Sequence, residues 1–168
     1  MKLKVARNKD SDKIIKLIRK CFKDYKNCYL DVENDSPELK RVFTYFKSKK
    51  GKFWIYLNRD KVIGCMGYLP HQKNEIEIHK LYIDQKFRKR GLARTLMTKV
   101  EKIAKKTQKK KIILWTDTRF KEAHAMYKKL KYKKLAKTRK LNDISNTTEY
   151  YFEKKLNSVS YTHLRAHE

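Results

Sequence analysis

Arg88-Lys89-Arg90-Gly91-Leu92-Ala93 is the stretch of this chain best suited to hold a charged ligand. It follows the apolar strand pattern Ile76-Glu77-Ile78-His79-Lys80-Leu81-Tyr82-Ile83. It precedes Leu92, Leu96, Val100, Ile103 and Ala104, which recur at helical spacing. A strand that turns sharply into a helix aims several backbone N–H groups at one point, and the helix dipole adds positive potential there. Gly91 has no Cβ to keep a ligand off the backbone. Arg88, Lys89, Arg90 and Arg94 add charge around it. Such a site is suited to a pyrophosphate.

Three further groups of residues could do chemistry. On the strand at 75–83, Ile76 and Ile78 face one way while Glu75, Glu77 and His79 face the other. Three polar side chains on one face of a central strand predict a wet cleft beside it. Tyr127 lies on the apolar face of a helix, where a phenol is either packed in the core or aimed at a reacting group. Asp31, Glu33, Asp35 and Glu38 place four acids in eight residues of an otherwise basic chain. They could attract a cation locally, or serve as helix caps and a solvated turn.

The elements that must position these residues follow from periodicity. Leu3 to Arg7 alternates as a strand. Asp10-Ser11-Asp12 offers N-caps to a helix carrying Ile14, Ile15, Leu17, Ile18, Cys21 and Phe22. Ser36-Pro37-Glu38 opens a second helix with inner face Leu39, Val42, Phe43 and Phe46, ended by Gly51. Residues 53–57 and 62–69 read as a hairpin, followed by the strand at 75–83 and the helix at about 91–108. A buried strand at 111–116, a helix from Phe120 to Leu130, and two strands at 133–141 and 147–156 complete the order βααβββαβαββ.

At 168 residues the chain reads as one domain over 1–157, with 40% hydrophobic residues to fill a core. No apolar run spans a bilayer, and the N-terminus lacks the apolar stretch of a signal peptide. Cys21, Cys28 and Cys65 fit no disulfide framework and no metal spacing, so a reduced, cytoplasmic setting without a metal is expected. The formal charge of +27 would bind polyanions, but the lysines are spread along every segment. With the many Ile, Asn and Tyr, this composition resembles that of proteins from AT-rich bacterial genomes. Nucleic-acid binding is therefore expected to be non-specific only.

The basic-x-x-Gly-x-Ala loop after a strand ending Leu-Tyr-Ile resembles the acetyl-CoA loop of the GCN5-related N-acetyltransferases (GNAT). The element order matches that family along residues 2–157. The resemblance implies an α/β fold whose mixed, mostly antiparallel sheet splays between its fourth and fifth strands to admit the cofactor. It implies direct attack of a primary amine on the thioester of acetyl-CoA in a ternary complex. Glu77, four residues before Leu81, stands at the family's base position and would act through water. Tyr127 matches the tyrosine that protonates the leaving thiolate. Leu81, Tyr82 and Ile83 would run beside the pantetheine like an added strand. Arg88 through Arg94 would hold the pyrophosphate. Asp31 and Glu33, in the connection that borders the family's acceptor site, would attract the amine. Glu75 and His79 would border it, or stand at a solvated strand end.

Two positions depart from the family pattern. Phe120 stands where an asparagine often fixes the cofactor arm, and Lys131-Tyr132 replaces the usual Gly-Phe after Tyr127. They keep open a CoA-binding protein without catalysis. A basic nucleic-acid-binding protein is the other alternative, although most of the eleven tyrosines have apolar neighbours. The acceptor is not specified, and a homodimer through the late strands is implied only by the resemblance. Residues 158–168 resemble a translated sequencing adapter, so they are expected to be non-native or a disordered extension, with His163 and His167 carrying no function.

Overall fold

The computed structural model describes residues 1–156; the tail at 158–168 lies outside them. The elements are β1 (Lys2–Val5), α1 (Ser11–Phe22), α2 (Val42–Ser48), β2 (Lys52–Asn58), β3 (Lys61–His71), β4 (Glu75–Ile83), α3 (Leu92–Lys106), β5 (Lys111–Asp117), α4 (Lys121–Lys129), β6 (Lys133–Lys140) and β7 (Thr148–Lys155). They form one sheet of order β1-β2-β3-β4-β5-β7-β6. Every neighbouring pair is antiparallel except β4–β5. The order and the mixed sheet agree with expectation.

Apolar residues on the two sheet faces separate two cores. One joins Ile76, Ile78, Ile112, Leu114 and Phe152 to α3 and α4 through Leu96, Met97, Val100 and Tyr127. The other joins Phe53, Ile55 and Cys65 to Ile14, Leu17, Ile18 of α1 and to Val42 and Phe46 of α2. Truncating a side chain such as Phe46 or Phe152 would cost about 3–5 kcal/mol. Cys21, Cys28 and Cys65 are free and buried, and act as small core residues.

Two irregularities in β4 set the site. β4 pairs with β5 only from Glu75↔Lys111 to Glu77↔Ile113, and beyond that the strands part. The splay therefore begins after Glu77. On the other edge, Gly67↔His79 is followed by Cys65↔Tyr82, so Lys80 and Leu81 both stand opposite Met66. The extra residue is a β-bulge, with Lys80 at φ +56°. Its amine bonds Ser36 Oγ at 2.9 Å and pairs with Glu38 at 3.8 Å, tying the α1–α2 connection to the splayed strand.

Three local expectations need correction. Residues 37–41 form a 3₁₀ turn, and α2 begins only at Val42. Asp10 makes no cap bond to α1 but accepts from the Arg7 N–H, closing the preceding turn. Gly51 does not supply the left-handed end of α2, because Lys50 does, at φ +65°. Gly51 is needed for space: a Cβ there would lie 2.0 Å from the Tyr68 carbonyl oxygen.

Candidate active site

Two clefts open beside the splayed half of β4. The first, about 390 Å³, lies between the β4 end, the N-terminus of α3 and α4. After Glu77, one edge of β4 has lost its strand partner, while the other stays paired to β3 as far as Ile83. That edge can therefore receive an extended, amide-bearing ligand. Leu81, Tyr82 and Ile83 line the cleft. The Ile83 carbonyl already accepts from Arg88 Nε at 2.9 Å, and Arg88 Nη1 reaches Glu122 at 2.9 Å.

The loop after β4 fits an anion. Lys89 and Gly91 both have positive φ, +63° and +79°, a local backbone that turns successive N–H groups toward one side. The Thr95 N–H donates to the Gly91 carbonyl at 3.0 Å, so the N–H groups of Leu92, Ala93 and Arg94 are the free start of α3. Gly91 faces open space, with nothing within 4 Å of where a Cβ would be. Arg88, Lys89, Leu92, Ala93 and Arg94 line the cleft with it. Arg90 does not, and its guanidinium lies over the Phe87 ring, 5.1 Å from the centroid.

The second cleft, about 370 Å³, runs through the opening between β4 and β5. Ile78, Lys80 and Leu81 form one wall, Leu114 to Asp117 the other, and Tyr127 reaches it from α4. Tyr127 is 5% exposed. Burial alone pushes its phenol well above the ordinary range, with no charge or hydrogen bond acting on it. Its hydroxyl is thus a proton-bearing group at the cleft.

The outer end of this cleft is acidic. Asp117 pairs with Arg119 at 3.3 Å, and Glu149 with Arg139 at 2.7 Å. Asp31 and Asp143 are held by neutral donors instead, Asn34 and Thr147 respectively. The Asn34 amide, then its backbone N–H, hold Asp31 below the usual carboxylate range. Exposed Asp35 adds a third carboxylate at the same cleft. Glu33 is elsewhere, on the α1 side, paired to Lys40.

Glu77 is the last residue of β4 before the opening, one position before Ile78 of the cleft wall. Burial raises its pKa above the ordinary value, against the lowering effects of His71 and Arg139, with Glu149 adding to the rise. Glu75 and His79 share its sheet face, and none of the three, Glu77 included, lines either cleft. His79 approaches Glu77 to 3.7 Å and is driven down to about 4 by burial, with Lys80, Arg139 and His71 adding to the fall. It is neutral at neutral pH.

The aromatic residue at the departure point is informative. Phe120 lines both clefts, as do Leu81, Tyr82 and Ala123. Its ring packs against Tyr25 at 4.9 Å, Phe22 at 6.0 Å and Tyr82 at 6.1 Å. An apolar wall thus stands at the position where the sequence departs from the family pattern. The Lys131 departure leaves the turn intact: Lys131 adopts φ +72°, and the Tyr132 N–H bonds the Tyr127 carbonyl at 2.9 Å. That is the glycine-type helix ending built with a lysine. Asp117, Asp143 and Glu149 were not singled out from the sequence, since no local pattern links them.

A sheet opened at its centre, with a helix N-terminus beside one half of the opening and a proton-bearing tyrosine at the other, defines an α/β acyl-transfer scaffold. Residues 14–132 match the model of the acetyltransferase (GNAT) family, and the chain belongs to that family. It is 28% identical over 100 residues to a probable N-acetyltransferase 14 of Xenopus tropicalis, covering 58% of this chain and 48% of that protein. The chain spans about half the length of the curated relatives it matches. An acetyltransferase of the GNAT family from Staphylococcus aureus has the same fold, with a TM-score of 0.79 at 19% identity over 93% of this chain and 99% of that one. The PaiA N-acetyltransferase from Thermoplasma acidophilum, solved in complex with coenzyme A, has a TM-score of 0.70 at 17% identity, covering 92% and 98%. Among the described residues, no helix is long and apolar enough to cross a membrane.

Proposed function

We propose that this protein moves an acetyl group from acetyl-CoA to a primary amine that carries positive charge, both substrates being bound together. The observation that carries the reading is the meeting of the two clefts at Leu81, Tyr82, Phe120 and Ala123. One is mostly apolar and ends at a free helix N-terminus, and the other is polar with three acids, Asp31, Asp35 and Asp143, that pair with no cation among the described residues. The free β4 edge and the Arg88–Arg94 loop fit the pantetheine and pyrophosphate of the donor, whose thioester supplies the acetyl group.

Glu77 accepts the proton of the amine through water. Its raised pKa makes it a better base than an ordinary carboxylate. Tyr127 gives its proton to the departing sulfur, and burial keeps that proton on the phenol until then. Asp31, Asp35 and Asp143 draw the ammonium group into a chain that is otherwise strongly basic.

Calorimetric titration with acetyl-CoA at moderate salt, with ATP as a control polyanion, tests the donor site. Saturable binding far tighter than to ATP is expected. Equal, salt-sensitive binding of both would remove the donor site from the reading. Thiol release is then followed with 1,4-diaminobutane, a lysine peptide, a glycine-initiated peptide and an aminoglycoside. Turnover of none of them would reduce the protein to a CoA binder.

A further inference from the structure

Glu77 must shed a proton after every turnover, and the face it occupies holds the means. His71 is the last residue of β3 and stands directly across from Glu75 in the β3–β4 register. Its Nδ1 lies 3.0 Å from Glu75 Oε1. Its Nε2 lies 4.0 Å from Glu77 Oε1. Burial works against the Glu75 charge, but the bond from His71 and the pair with Lys111 outweigh it and hold Glu75 below the usual carboxylate range. Lys111 reaches Glu75 at 3.4 Å and Glu153 at 3.3 Å.

These contacts fix the imidazole. A carboxylate can only accept, so Nδ1 carries the hydrogen, and the lone pair of the neutral ring is on Nε2, facing Glu77. We infer that His71, oriented by Glu75, is a positioning residue that takes the proton off Glu77 and returns it to solvent. This rests on Glu77 being the base. The 4.0 Å gap exceeds a hydrogen bond and closes by side-chain rotation or one water.

The proton balance is simple. The ammonium loses one proton, through water, to the Glu77 carboxylate; the attached nitrogen loses a second as the tetrahedral intermediate collapses, and that proton replaces the one Tyr127 gives to sulfur. The Glu77 O–H gives it to His71 Nε2, restoring the carboxylate. The imidazolium is held by Glu75 through Nδ1–H, and Nε2–H then passes its proton to a buffer base. The His71 side chain is 36% exposed, so it reaches solvent, whereas the Glu77 side chain is only 15% exposed. No electrons move.

The other groups on this face do not offer the same route. His79 on β4 lies closer to Glu77 but is held neutral to about pH 4, so it does not store a proton at neutral pH. Lys80 of β4 is tied to Ser36 and Glu38. Lys111 of β5 is shared by Glu75 and Glu153 of β7, and Arg139 of β6 is paired with Glu149 of β7. Tyr151 of β7 donates to Glu153 at 3.1 Å. Of the two imidazoles near Glu77, His71 is the one whose hydrogen is fixed on Nδ1 by a carboxylate, Glu75, which leaves Nε2 to accept.

The decisive experiment needs no acceptor. The imidazole signals of the full chain, labelled with ¹³C-histidine, are recorded by NMR at neutral pH and assigned with His71→Gln. The ring carbons should report the tautomer with hydrogen on Nδ1; Glu75→Gln should loosen that tautomer, and Glu77→Gln should move the same signals because it changes the group that faces Nε2. Unmoved His71 signals in Glu77→Gln would overturn the relay. The kinetic arm uses acetyl-CoA with 1,4-diaminobutane. His71→Gln keeps a donor for Glu75 and should lower kcat about tenfold, with rescue by added imidazole. A purely structural role would give no rescue and would sink the proposal. If Glu77→Gln itself leaves kcat unchanged, the base assignment fails and the relay with it. If Glu77→Gln is slow while His71→Gln is normal, only the relay fails.

Discussion

The two clefts are built by different means. The cleft proposed for the donor is made of backbone: a strand edge that has lost its partner, two residues at positive φ, and the free N–H groups of α3. The cleft proposed for the acceptor is made of side chains from the α1–α2 connection, β4, β5, α4, and the β6–β7 loop. A backbone site tolerates exchange of most side chains but not of the residue that permits close approach. A side-chain site depends on each group that moves a proton. The largest effects of substitution should therefore fall on the groups proposed to move protons, Tyr127 at the acceptor cleft and Glu77 beside it.

Tyr127→Phe removes one hydroxyl that has no hydrogen-bond partner among the described residues, so the fold should be unaffected while kcat falls roughly 10²–10⁴-fold. Glu77→Gln should lose activity on the same scale. The pH profile separates the two. As the proposed base, Glu77 must be deprotonated to act, and burial raises its pKa, so the rate should fall as pH drops through a value above the usual carboxylate range. That acid limb should vanish in Glu77→Gln and persist in Tyr127→Phe. The Tyr127 phenol is raised, so it keeps its proton through neutral pH and contributes no alkaline limb there. A Tyr127→Phe enzyme with unchanged kcat would return this residue to core packing.

In the donor cleft the sensitive position is Gly91. A Cβ there meets no protein atom but enters the space beside the free N–H groups, and the φ of +79° strains any L side chain by about 1–2 kcal/mol. Gly91→Val should weaken acetyl-CoA binding by roughly tenfold or more, read by calorimetry, with a smaller loss of thermal stability. Arg90→Gln should change little by comparison, since Arg90 stands on Phe87 outside the cleft. Equal losses in both variants would mean that net charge, not backbone geometry, holds the donor.

This difference also explains how much the sequence discloses. The donor loop is legible because it is contiguous: strand, basic run, glycine and helix lie within about twenty residues, and each has a period or a steric requirement. The acceptor cleft is only half legible. Asp31 was visible as part of an acidic run, yet Glu33 in the same run faces another surface and pairs with Lys40. Asp117, Asp143 and Glu149 become neighbours only because β5 and β7 pair and the β6–β7 loop folds over the opening. His71 carried no pattern at all; the β3–β4 register alone brings it to Glu75. Gly51 and Lys50 show a further limit. A glycine after a helix predicts the left-handed ending, but here a lysine takes it and the glycine answers a close backbone contact.

Lysines at left-handed positions give the smallest test, and one that concerns the scaffold under both clefts. Lys131 ends α4 at φ +72°, fixing the turn that carries Tyr132 back against Glu101, with its hydroxyl 3.3 Å from Oε2. α4 in turn carries Tyr127. A non-glycine residue in this conformation costs about 1 kcal/mol relative to glycine, which is offset here by the 2.9 Å bond from Tyr132 N–H to the Tyr127 carbonyl. Lys131→Gly should relieve that strain, although glycine also gains freedom in the unfolded chain, so the net gain should be under about 1 kcal/mol, or a few degrees in Tm. Activity should not change, because the turn geometry is the same. A loss of stability would mean that the lysine stem contributes packing that outweighs its strain. A change in kcat at equal stability would show that α4 is positioned by this turn more tightly than the bond pattern requires.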